Sequence, residues 1–71
     1  MPRYDAGYER ERLARELADW KASGFIDSRI AQRWDRRVKR LARVAKRPLA
    51  EMREDLERDA EAILAECDEA R

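Results

Sequence analysis

Arg29, Arg33, Arg36, Arg40, Arg43 and Arg47 follow one another at steps of four, three, four, three and four residues, a spacing that keeps side chains on one face of an α-helix. At about 1.5 Å per residue the row spans roughly 27 Å. Arginine presents a planar fork of donors that grips a phosphate or carboxylate through two bonds at once. The chemistry this pattern favours is recognition of an extended polyanion, not bond making. Arg37, Lys39 and Lys46 widen the band. DNA or RNA is therefore the first expected partner. Backbone contact is favoured over base reading, because Gln32 is the one amide nearby and the chain has no Asn or Thr.

Catalysis is not expected. The chain has no His, its only aliphatic alcohols are Ser23 and Ser28, and a protein this small encloses no pocket that would shift the pKa of a carboxylate. Gly7 and Gly24 are the only glycines, which excludes a glycine-rich phosphate loop. Cys67 is the only cysteine, so neither an intrachain disulfide nor a Cys/His zinc pattern exists; it reads as a small apolar residue on a buried helix face. Glu51, Glu54, Asp55 and Glu61 have no His beside them and basic neighbours, and they read as solvated carboxylates instead of metal ligands. No cofactor or metal is expected.

The row belongs to a chain whose charge is sorted by segment. Residues 28 to 47 carry nine Arg or Lys against Asp35 alone, whereas 48 to 71 carry nine acids against Arg53, Arg58 and Arg71, so a net charge of +1 hides blocks of +8 and −6. If the acidic segment folds back on the basic one, ion pairs across the seam satisfy part of this charge without any ligand, with Arg37 and its neighbours best placed to reach them. The genome's preference for arginine, 14 against 3 lysines over the chain, accounts for some of the choice within the row.

Those side chains must be positioned by helices. Ala, Glu, Lys, Leu and Arg make 44 of the 71 residues, a helix-forming composition. The expected fold is all-α and a single small domain, with helices over approximately 5–23, 28–46 and 48–70. The first is marked by Ala6, Leu13, Leu17 and Trp20 on one face, by Asp5 as N-cap and by Gly24 as a left-handed terminator. Phe25 and Ile26 are expected to fold over the helix ends, with Asp27 capping the next start. In a DNA-reading helix-turn-helix the small residue sits four before the turn glycine; Ala18 is six before Gly24, so the joint reads as an ordinary connector. The second helix buries Ile30, Trp34, Val38, Leu41 and Ala45. Leu49, Met52, Leu56, Ala60, Ile63, Cys67 and Ala70 continue the stripe in the third.

Pro48 removes a backbone donor and disfavours helical geometry at Arg47. Two arrangements follow: a short hairpin plus a third helix starting at Pro48 in a three-helix bundle, or the last two helices merged into one long helix kinked at Pro48. Little apolar surface is available to so short a chain, and a homodimer or other homo-oligomer is expected. Trp20 and Trp34 read as core. Tyr4 and Tyr8 point away from the Leu13 face, and surface position, a terminal clasp over another helix, or anchoring of a protein partner all fit them.

The leading expectation is a non-enzymatic nucleic-acid-binding accessory or regulatory protein. The alternative is an inhibitor, antitoxin-like or anti-defence module or adaptor that docks on an acidic or basic protein surface through Tyr4, Tyr8, Arg37, Glu51, Glu54, Asp55 and Glu61. A structural helical oligomer is third. No apolar run is long enough for a membrane span, and a cytoplasmic location is expected.

Overall fold

A computed structural model describes residues 3–24 and 26–69. They form three packed helices, α1 (Ala6–Ser23), α2 (Ser28–Ala45) and α3 (Leu49–Glu69). Among the described residues there is no strand, and no helix is long and apolar enough to cross a membrane.

The boundaries follow from capping chemistry. Asp5 is extended and its carboxylate accepts the Tyr8 amide at 3.0 Å, satisfying one of the orphan donors at the start of α1. Gly24 ends the helix at φ 71°, and its amide donates to the Trp20 carbonyl at 2.9 Å. Asp27 accepts the Arg29 amide at 2.8 Å to open α2.

The end of α2 resolves the ambiguity at Pro48. Lys46 adopts φ 57°; its amide donates to the Arg43 carbonyl at 3.3 Å and the Arg47 amide to the Ala42 carbonyl at 2.9 Å. These two bonds are the Schellman arrangement, made here by a lysine where glycine is usual. The merged, kinked helix is therefore not formed. Pro48 immediately precedes α3 and its carbonyl accepts the Met52 amide at 3.0 Å, so the helix starts one residue later than expected.

α1 and α3 pack most extensively on each other, and α2 leans on the pair. Leu13, Val38, Leu41, Met52 and Leu56 are fully buried, with Ala14, Ala42 and Ala60 between them and Ala6, Leu17, Trp34, Leu49 and Ile63 around the edge. A core of this composition closes within one chain. The Trp34 indole donates to the Leu13 carbonyl at 3.0 Å and meets Trp20 edge-on, ring centres 5.4 Å apart, tying α2 to α1.

Two details depart from the expected stripes. On α2 the burial is confined to the middle: Ile30 is 51% exposed and Ala45 is also in solvent, because the helix meets its neighbours chiefly around Val38, Leu41 and Ala42. On α1 the core face is wider than its leucines suggest, since Ala14 and Ala18 are as buried as Leu13. Ile26 is 45% exposed and does not close over the helix ends; Phe25, Ala70 and the side chain of Cys67 lie outside the described residues.

Candidate nucleic-acid interface

The buried middle of α2 fixes what its opposite face presents. Val38, Leu41 and Ala42 point inward, and Arg29, Arg33, Arg36, Arg40 and Arg43 all point to solvent on the other side. Among the described residues Arg29, Arg33, Arg36 and Arg43 make no ion pair and no side-chain hydrogen bond. The ion pairs of this region lie on the flanks of the helix or at its end. Arg37 Nε is 2.7 Å from Glu9 and its Nη2 is 2.9 Å from Glu16. The hydrogen bond to Glu16, reinforced by Glu9, raises the pKa of that guanidinium against the cost of its burial.

Asp35, the single acid of the basic segment, sits on the other flank. It is 2.6 Å from Arg53 and 3.2 Å from Lys39, and the hydrogen bond from Arg53 lowers its pKa below the ordinary value. The acids of α3 turn mainly toward α1: Asp59 bonds Arg10 at 2.8 Å, and Glu57 and Glu61 lie 2.8 and 3.4 Å from Lys21. Refolding of the acidic half onto the basic half thus neutralises little of the arginine row. Asp59, Glu57 and Glu61 are taken up along the α1 seam.

Arg47 is the exception and leaves the row. The turn at Lys46 swings it over α3, where its Nη2 lies 2.8 Å from Asp55 and 3.7 Å from Glu51. Asp55 is 5% exposed. It is also paired with Arg58, and Arg10 Nη1 stands 4.0 Å away, so one buried carboxylate gathers arginines from α1, the α2–α3 turn and α3. Burial of a charge demands such partners. Asp55 is thus the buried counter-ion of these arginines. Its position three residues after Met52, at the edge of the apolar stripe, was the available signal.

Arg40 is held in a different way. Its guanidinium carbon lies 4.4 Å from the centre of the Tyr4 ring, within reach of a cation–π attraction. The Tyr4 hydroxyl is buried without a hydrogen-bond partner, and its pKa is raised by desolvation and by Glu9, with Arg40 and Arg37 opposing. Tyr4 thus lies against α2 from the segment before α1. Tyr8 is 59% exposed, with Arg12 5.8 Å from its ring centre. Among the remaining acids, Glu54 is exposed and Glu51 and Glu61 are exposed beside their basic partners.

The arrangement carries a cost to the helix that holds it. The first turn of α2 contains Arg29 and no acid, unfavourable against the positive end of the helix dipole. Like charges one turn apart repel by a few tenths of a kcal/mol per pair. What the face can do chemically is bind anions in a line. The chain matches no protein-family model, no curated protein and no solved structure, so the functional reading rests on this geometry.

Proposed function

We propose that this is a small non-enzymatic nucleic-acid-binding accessory or regulatory protein whose phosphate-contacting surface is the outer face of α2. Arg29, Arg33, Arg36 and Arg43 are the principal contacts, and Arg40 joins them on the same face. The observation that supports this reading is the contrast within α2: Arg37, Lys39 and Arg47 are held by acids, while four exposed arginines in line have none among the described residues. Docking on a protein through the acidic helix is less well served, since Asp55 is buried and Glu57 and Glu61 are engaged by Lys21. The reading implies a cytoplasmic protein. It works with one copy, and pairing of two copies would double the row.

Five phosphate contacts give a salt slope of about −4.5, so affinity falls roughly 500-fold between about 50 and 200 mM salt. The double replacement Arg36→Glu with Arg43→Glu removes binding while leaving helical content and unfolding temperature near those of the parent, because neither side chain has an internal partner. Arg40 is avoided because it supports Tyr4. The control is Arg12→Glu with Arg15→Glu on α1, which changes net charge equally and retains most of the affinity. Equal loss in both variants would reduce the effect to bulk charge, and absence of binding by the folded parent at low salt would end the proposal.

A further inference from the structure

The outer face of α2 carries its charge around an arc and not along one edge, and this bears on the form of nucleic acid it fits. At 3.6 residues per turn, Arg33 and Lys39 point about 120° apart, with Arg36 and Arg43 between them. Lys39 is 55% exposed even while it holds Asp35. A flat acidic surface would engage one edge of such a helix and leave the other in water. A groove with an anionic wall on each side engages both.

We infer that the ligand is duplex DNA and that α2 enters its major groove, an inference that rests on the proposed nucleic-acid function and specifies its substrate. A helix with its side chains is about 10–12 Å across and the major groove of B-form DNA is about 12 Å wide. Arg33 and Arg40 then face one phosphate wall, the exposed Lys39 lies toward the other, and Arg29, Arg36 and Arg43 lie between them on long side chains that reach out of the groove to the phosphates of the nearer strand. Arg29, Arg36 and Arg43 recur every seven residues, or about 10.5 Å, close to three base-pair steps of about 3.4 Å. The major groove of an RNA duplex is too deep and narrow to admit the helix.

Single strands are disfavoured by a separate observation. Proteins that hold them use exposed aromatic side chains as stacking platforms. The only aromatic residue of α2 is Trp34, which is turned into the bundle, packed against Trp20 and bonded to the Leu13 carbonyl. α2 is also the helix least enclosed by the other two, which leaves its outer half free to enter a groove.

The test uses the full chain and labelled probes of one length and sequence: a DNA duplex, the matching RNA duplex and the single DNA strand, all at about 50 mM salt. The DNA duplex is expected to bind about tenfold or more tighter than either alternative. Methylation of guanine N7, which lies in the major groove, is expected to weaken binding about tenfold, while a saturating minor-groove ligand leaves it unchanged. Equal or tighter binding of RNA duplex or single strand, or displacement by the minor-groove ligand without sensitivity to N7 methylation, overturns the groove inference and leaves nucleic-acid binding standing. Failure of the helical protein to bind any probe overturns both.

Discussion

Arg40 and Arg47 belong to the same row in sequence, and each is held by a group that the spacing of arginines does not reveal. Asp55 draws Arg47 away because a carboxylate that is 5% exposed must be compensated. Tyr4 lies against Arg40 from the segment before α1. The row was legible because i, i+3 and i, i+4 spacing is a local property of the helix. Its loss of one member was not, because it depends on the turn at Lys46 and on how deeply Asp55 sits. The Tyr4 hydroxyl lacks a hydrogen-bond partner in its buried position, and an unsatisfied buried hydroxyl costs about 1–3 kcal/mol. Tyr4→Phe keeps the ring under Arg40 and removes that cost. Denaturant unfolding is expected to show a gain of about 1 kcal/mol, and destabilisation by that substitution would mean that the hydroxyl is hydrogen-bonded in solution.

For the helices themselves, starts were easier to read than the second turn. Asp5, Gly24 and Asp27 each act through their own side chain or its absence, and they bound α1 and open α2 as their chemistry requires. The α2–α3 turn has no such marker, since Lys46 reaches φ 57° without the help of glycine. A left-handed conformation costs a residue with a Cβ about 1–2 kcal/mol. Glycine recovers most of this and loses a part through the greater freedom of the unfolded chain. Lys46→Gly is expected to raise stability by about 0.5–1 kcal/mol, or roughly 3–6 °C in Tm for a domain of this size. A drop in Tm would show that the lysine side chain supports the turn. Packing of α1 was also only half legible. Leucine spacing pointed to one face, but Ala14 and Ala18, small enough to be read as neutral, let a second face close on α3 with Arg10 and Lys21 alongside.

At the scale of the molecule, 17 cationic side chains are balanced by 16 acidic ones, and the balance is spatially uneven. Attraction is concentrated along the three seams between helices, and repulsion on the outer face of α2. Acid removes the first and leaves the second. A carboxylate whose folded pKa is lowered contributes stability that is full above its unfolded pKa and is lost as pH falls through the folded value. Asp35 is such a group, held down chiefly by Arg53 and also by Lys39. The unfolding midpoint followed by circular dichroism is expected to fall as pH drops through the ordinary carboxylate range near about 4, and to go on falling below it as Asp35 protonates. Asp35→Asn is expected to lower stability at neutral pH and to flatten the most acidic part of the profile. Salt separates the two contributions by sign. At neutral pH it screens the seam pairs and lowers the midpoint slightly, whereas in acid, where only like charges remain, it raises the midpoint. A salt effect of one sign at both pH values would mean that the arginine face and the seams do not act as opposing electrostatic contributions in the folded protein.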